Sequence, residues 1–256
     1  MSLRFSDFRG QLSVLSLHFL LKCDNLLYPP PAMNRLANEF IGTFFLVFTI
    51  CVAAVYEKAG VYAPLAIGLV LVALVYAGGH ISKAHYNPAV SLAFWIRGCY
   101  ISIREMFSFI AIQIVAAILA VLLAETFYRD GMEITALELE TGPALVGEIL
   151  FTFMLVWVIM NVATAKAIAG NQFYGIAIGF TVAGGIYTVG SVSLAIFNPA
   201  VALALAITGK LAISQIWIPI AGSIAGAVIA TLAFNLGHPT EKCSVDDDSA
   251  CQPFEN

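Results

Sequence analysis

The sequence predicts an all-α membrane protein with six transmembrane helices, two re-entrant half-helices and an inverted repeat. The first observation is composition: 60% of the residues are apolar and 11% are charged, against about 45–50% and roughly 25% in soluble domains. Twelve basic and 16 acidic side chains are too few to cover so much apolar surface, which argues against a water-soluble enzyme. The other two observations are the apolar spans and a repeated motif.

Six stretches are long and apolar enough to cross a bilayer, which takes about 20 residues in a helix. They are Leu36–Tyr56, Tyr62–Gly79, Arg104–Ala124, Pro143–Val162, Gln172–Val189 and Ser214–Leu236.

Two further apolar segments, Asn87–Ile96 and Asn198–Ile207, are too short to span. Half-length apolar helices in a membrane protein are typical of re-entrant segments that line a path, because irregular backbone persists at that depth only beside protein or water. A helix lying on the membrane surface is the alternative.

The distribution of Lys and Arg predicts the orientation. An even number of spans puts both termini on one side, which receives Arg35, Lys83, Arg97, Arg104, Lys166 and Lys242. The other side receives Lys58, Arg129 and Lys210. This excess predicts a multi-pass protein of the cell membrane with both termini in the cytoplasm.

The organisation along the chain is one membrane domain, residues 33–237, made of repeats at about 33–132 and 141–237. We expect residues 1–32 to be a flexible extension, or an upstream start assigned ahead of Met33. A signal peptide is the alternative, although no small-residue cleavage site follows the apolar run. We expect residues 238–256 to be a disordered tail.

The repeat consists of three matches in the same order in each half. Glu39-Phe-Ile-Gly-Thr-Phe-Phe-Leu-Val-Phe48 matches Glu148-Ile-Leu-Phe-Thr-Phe-Met-Leu-Val-Trp157, and each half continues with Ala-Ile-Gly and Asn-Pro-Ala-Val. Gly68 precedes Asn87 by 19 residues, as Gly179 precedes Asn198. Three spans per half make the second copy inverted, so the two half-helices meet N-terminus to N-terminus near the midplane.

The paired motifs Asn87-Pro88-Ala89 and Asn198-Pro199-Ala200 predict the chemistry of the path. Asn caps each half-helix and Pro suits its first turn, which leaves the Asn amide donors facing a lumen. Two positive helix ends repel cations, while a small neutral molecule accepts bonds from these amides. The pattern indicates a passive pore for uncharged solutes.

At this point the sequence resembles the aquaporin and aquaglyceroporin family over about residues 33–236. The motifs that carry the resemblance are Glu39-Phe-Ile-Gly-Thr, Gly79-His-Ile-Ser-Lys-Ala-His-Tyr-Asn-Pro-Ala-Val90, Gly147-Glu-Ile-Leu and Asn198-Pro-Ala200. The resemblance implies a right-handed six-helix bundle, a homotetramer in the lipid bilayer and one pore per protomer.

Two acidic residues in otherwise apolar spans, Glu39 and Glu148, are predicted to accept hydrogen bonds from N–H groups of the re-entrant loops, a role the family also implies. Proton carriage is the alternative, since acids inside membranes often serve it. We expect His85 to support loop backbone in the same way. The glycine pairs Gly175/Gly179 and Gly222/Gly226 are predicted to be helix-packing positions.

The sequence departs from the family pattern at the pore filter. The arginine that follows the second motif in most members is replaced by Val201. Spacing from the two asparagines places the other filter positions at Ile67, Ile186 and Ala195, so all four are apolar. Because such a ring offers water no replacement hydrogen bonds, strict water selectivity is not expected.

The predicted function is therefore a facilitator for small neutral solutes, such as glycerol, urea or undissociated metalloid hydroxides, and for water. A water-selective aquaporin, a secondary transporter with inverted repeats and a pore closed by its isoleucines are the alternatives. No nucleophile–base pair favours an enzyme. A net charge of −4 without a basic run argues against nucleic-acid binding, and the five cysteines lack metal-site spacing, so no cofactor is expected.

Overall fold

The computed structural model describes residues 31–98 and 100–239. The predicted N-terminal extension, apart from its last two residues, and the tail beyond residue 239 lie outside this part.

The described chain is helical. The α-helices are α1 (Pro31–Ile50), α2 (Ala63–Ser82), α3 (Pro88–Arg97), α4 (Ile103–Tyr128), α5 (Thr141–Ala163), α6 (Tyr174–Ser193), α7 (Pro199–Thr208) and α8 (Trp217–Gly237). A π-helical turn, Cys51–Val55, extends α1, and short 3-10 turns flank α2, α5 and α8. Within residues 31–98 and 100–239 no β-strand forms, and Leu137 and Leu211 make an isolated bridge.

In the described part of the chain, six helical segments are long and apolar enough to cross a membrane, which confirms the six predicted spans. They contain α1, α2, α4, α5, α6 and α8. The C-terminal ends of two helices lie four residues beyond the prediction. α4 continues to Tyr128, where Glu125 pairs with Arg129 at 2.6 Å. α6 continues to Ser193, whose hydroxyl is satisfied inside the protein by Glu148. Polar side chains near the ends of α4 and α6 have partners within the protein, so both helices continue beyond the apolar stretch. The fall in hydropathy therefore does not mark where these helices end.

The short helices α3 and α7 have ten residues each and begin in the same way. The side chain of Asn87 accepts a hydrogen bond from Ala89 N at 2.9 Å, and Asn198 accepts one from Ala200 N at 2.9 Å. Proline follows each cap, where its missing N–H costs nothing. The sequence predicted both starts, because cap and proline stand side by side.

Glycines set the distances between crossing helices. A Cβ at Gly179 of α6 would lie 2.5 Å from the carbonyl oxygen of Gly68 in α2. One at Gly226 of α8 would lie 2.5 Å from the carbonyl oxygen of Ile149 in α5, and one at Gly222 would lie 2.5 Å from Glu148 Cβ. The helices approach until their backbones touch, as small residues at membrane interfaces allow.

Replacing Gly179 by Ala should destabilise the fold, while the same change at Gly184 should not. Both glycines lie on α6, but a Cβ at Gly184 meets nothing within 4 Å. We expect Gly179→Ala to lower stability by about 1–3 kcal/mol, the usual cost of overpacking, seen as a lower thermal unfolding midpoint in detergent. Equal midpoints for the two variants would contradict this crossing.

Candidate solute pore

The two half-helices meet through reciprocal hydrogen bonds between their caps. Asn87 Nδ2 donates to the carbonyl oxygen of Phe197 at 2.8 Å, and Asn198 Nδ2 donates to that of Tyr86 at 2.9 Å. We expected both amides to be free, but each uses one of its two hydrogens to hold the opposite loop. The second hydrogen of each amide remains available to a solute.

A cavity of about 800 Å³ contains this meeting point and all four predicted filter positions. Its charged lining residues within the described chain are Glu57, Lys83 and Lys210. Each follows the end of a helical segment, α1 with its π-helical turn, α2 and α7 respectively. Among the residues that the structure describes, none therefore presents a formally charged side chain in the middle of the cavity.

All four predicted filter positions line this cavity. Ile67, Ala195 and Val201 are buried, with 2%, 6% and 3% of their surfaces exposed, and Ile186 is partly buried. They come from α2, from the loop before Asn198, from α7 and from α6. None of these four side chains carries a hydrogen-bond donor.

Glu39 holds the first re-entrant loop. Its carboxyl oxygens accept hydrogen bonds from the backbone N–H groups of His85 at 2.9 Å and Tyr86 at 2.8 Å. The hydroxyl of Ser82 and, at 2.8 Å, Gln113 Nε2 also donate to it. The side chain is fully buried and does not line the cavity.

Glu148 holds the second loop by the same pattern. It accepts from Ile196 N at 2.8 Å, from Phe197 N at 2.7 Å and from the Ser193 hydroxyl at 2.7 Å. It too is fully buried and lies off the cavity wall. These contacts place both glutamates where the sequence predicted loop support.

The loops need this support because their backbones are held at positive φ without glycine. Such conformations are uncommon and cost of order 1–3 kcal/mol each. They recur at matching positions in the two repeats: Lys83 (φ 71°), Ala84 (φ 52°) and Tyr86 (φ 48°), and Leu194 (φ 67°), Ala195 (φ 50°) and Phe197 (φ 52°). The carbonyl groups of Tyr86 and Phe197, the last residues of these loops, accept hydrogen bonds from the asparagine amides.

His85 does not support loop backbone with its side chain, contrary to the prediction. Its Nδ1 lies 3.1 Å from the Ser91 hydroxyl on α3, and its ring stacks on Phe94 with centroids 4.2 Å apart. The reason is that the loop N–H groups already have acceptors: Glu39 accepts from His85 and Tyr86, and Ser82 accepts from Ala84. The imidazole instead ties the loop to the half-helix that follows.

Three side chains of this support were missed by the sequence analysis: Ser82, Ser193 and Gln113. Each serine bonds its glutamate and also accepts from a loop N–H, of Ala84 or Ala195, at 3.1 Å. A signal for the serines was present, since each stands five residues before a motif asparagine. Gln113 lies on α4, far along the chain, and no local pattern pointed to it.

Comparisons with known proteins agree with this geometry. The profile of the family described as Major intrinsic protein matches residues 29–234. The chain is 34% identical over 230 residues to Aquaporin NIP1-1 of Zea mays, covering 86% of this chain and 80% of the relative. It is 33% identical over 222 residues to Nodulin-26 of Glycine max, covering 83% and 80%.

Among solved structures, the X-ray structure of the aquaglyceroporin from Plasmodium falciparum superposes with a TM-score of 0.70 at 18% identity. The match covers 82% of this chain and 98% of that one. At this identity the likeness concerns the fold, while the family rests on the sequence matches. Together with the paired half-helices, these matches show that the chain belongs to the major intrinsic protein family of aquaporins and aquaglyceroporins.

Proposed function

We propose that this protein is a passive channel for small uncharged solutes, such as glycerol, urea or neutral metalloid hydroxides, and also for water. Its relatives are channels and not enzymes, so passive conduction follows from the family. The solute class rests on one observation. All four filter positions are apolar and line the same cavity as both motif asparagines.

Exclusion of ions follows from what surrounds the middle of the path. The N-termini of α3 and α7 converge there, each with the positive end of its dipole. A cation also gives up its hydration shell in an apolar tube, at a cost of several kcal/mol. A neutral molecule escapes both penalties and can accept a hydrogen bond from Asn87 or Asn198.

The apolar filter favours solutes over strict water selection. Water inside such a ring loses hydrogen bonds that the ring does not replace, and narrow apolar constrictions tend to dewet. A polyol can place its carbon atoms against the apolar side chains, and a neutral metalloid hydroxide can place its metalloid atom there. The hydroxyl groups of either solute then form hydrogen bonds with the loops. Val201 is also shorter than the arginine that most family members have at this position, and Ala195 is small. We therefore expect a wider opening than in a channel with that arginine, although two isoleucines limit the increase.

A secondary transporter is the main alternative of another class, and the carboxyl positions argue against it. Coupled transport needs titratable groups that the substrate path can reach. Glu39 and Glu148 are fully buried and do not line the cavity. Their carboxyl oxygens accept hydrogen bonds from loop N–H groups. Their contacts are those of structural supports.

The cellular setting belongs to the same proposal. The chain is a membrane protein by its six apolar helices and its family. The Lys and Arg distribution supports a cell-membrane channel with cytoplasmic termini. A homotetramer, in which each protomer carries its own pore, is supported by what is typical of the family.

Solute uptake by proteoliposomes tests the solute class. Vesicles containing the full chain should swell after an isosmotic exchange of impermeant sugar for glycerol or urea, several-fold faster than empty vesicles. Stopped-flow light scattering measures both this rate and osmotic water permeability. Strong water permeability with no uptake of either solute would instead favour a water-selective aquaporin.

Val201→Arg should lower glycerol and urea flux, by about tenfold or more, because a long cationic side chain fills the ring. Val201→Gln separates size from charge, since it narrows the ring without a positive charge. Flux that is unchanged in both variants would mean that these four positions are not the filter.

Glu148→Gln distinguishes a support from a proton carrier. An amide group replaces one acceptor oxygen by a donor facing loop N–H groups, so we expect loss of roughly 1–3 kcal/mol and a lower yield of folded protein. Uptake per folded channel should not depend on a proton gradient, either before or after the change. Gradient-driven uptake that Glu148→Gln abolishes in well-folded protein would favour the transporter.

A further inference from the structure

The repeat assigns a counterpart to every residue of the filter. A shift of 111 residues relates Asn87 to Asn198 and Gly68 to Gly179. We call Ile67, Ile186, Ala195 and Val201 the filter ring. The same shift pairs these residues with Ile178, Val75, Ala84 and Val90 respectively, which we call the paired ring.

The backbone has the same local conformation at these counterparts. Ala84 and Ala195 have φ angles of 52° and 50° at the same place in their loops. Val90 and Val201 are each the third residue after a capping asparagine, in half-helices of equal length. Since the two repeats are inverted, counterparts lie at matching depths on opposite sides of the asparagine pair.

The paired ring resembles the filter ring in location, burial and chemistry. Its four members all line the cavity that holds the filter ring. They are buried, with exposed fractions of 3% for Val75, 8% for Ala84, 2% for Val90 and 6% for Ile178. All four side chains are aliphatic, so neither ring offers a donor or a charge.

We propose that the paired ring is a second specificity-determining constriction, placed in series with the filter ring. It rests on the proposed function and adds to it the residues of a second barrier. A solute then enters a short polar chamber, bounded by an apolar ring at each end and containing the free amide hydrogens of Asn87 and Asn198. Selectivity is exercised twice, on entering this chamber and on leaving it.

The surroundings of the two rings are not duplicated. Lys83 and His85, which flank Ala84, have Leu194 and Ile196 as counterparts. The rings are therefore lined by similar aliphatic side chains and differ in polarity just outside.

Two constrictions in series predict how the effects of two substitutions on permeability combine. Resistances in series add, so opening one of two equal constrictions at most doubles the permeability. Opening both removes most of the resistance, so the combined gain exceeds the product of the single gains. One dominant constriction gives the full gain from a single change.

The experiment compares Ile67→Ala, Ile178→Ala and the double variant, as full chains in proteoliposomes, with glycerol as the probe. We expect each single change to raise glycerol permeability by about twofold or less, and the double change to exceed the product of the two. The matched control is Ile176→Ala, on the same helix as Ile178, since Ile176 is 49% exposed and lies off the cavity wall. It should leave permeability unchanged.

The inference is overturned if Ile178→Ala changes glycerol permeability neither alone nor together with Ile67→Ala. Should an alanine variant fold poorly, Val90→Thr, Val201→Thr and their double variant test the same expectation with side chains of nearly equal size. If wild-type vesicles exclude glycerol and urea, the proposed function fails. The single and double variants are then compared by osmotic water permeability. A double variant whose gain in water permeability exceeds the product of the two single gains supports the paired ring. A paired-ring substitution without effect on water permeability overturns it.

Discussion

The structure depends on satisfying backbone N–H groups at the centre of a membrane. Each re-entrant loop brings irregular chain to a depth where no bulk water is available, and an unpaired polar group there costs several kcal/mol. Glu39 and Glu148 meet this need by accepting from two consecutive loop N–H groups each. The positive φ angles of the loops, and with them the position of the asparagine caps, depend on these bonds.

This support also determines the chemistry of the lumen. The carboxyl oxygens of Glu39 and Glu148 accept hydrogen bonds from the loops and are therefore not available to a solute. Both side chains are buried and neither lines the cavity. The half-helices are fixed with their positive ends together, and the asparagines lock across the gap. A neutral, weakly polar centre that disfavours cations is thus a consequence of how the backbone is satisfied, before any filter residue is considered.

The sequence predicted what local patterns and internal symmetry encode. Helix caps such as Asn87 and Asn198 are local, and the repeat showed that the two half-helices meet. The roles of Glu39 and Glu148 followed because an acid in an apolar span needs donors. Gln113 could not be predicted, since its bond to Glu39 joins residues 74 positions apart. The side chain of His85 was misassigned, because sequence does not show that another group already occupies the loop donors.

Valine instead of arginine at position 201 changes more than the width of the filter ring. An arginine after the second motif makes the two halves of a pore unequal, with one charged constriction that outweighs its counterpart. Valine at both Val90 and Val201 removes that inequality, and the filter positions become nearly the same in the two repeats. If the proposed paired ring acts as a second constriction, neither end dominates, and discrimination depends on the sum of two apolar barriers and on hydrogen bonds made between them. On the proposed function, such a channel favours small neutral solutes over ions, because neutral solutes lose their hydration at a lower cost.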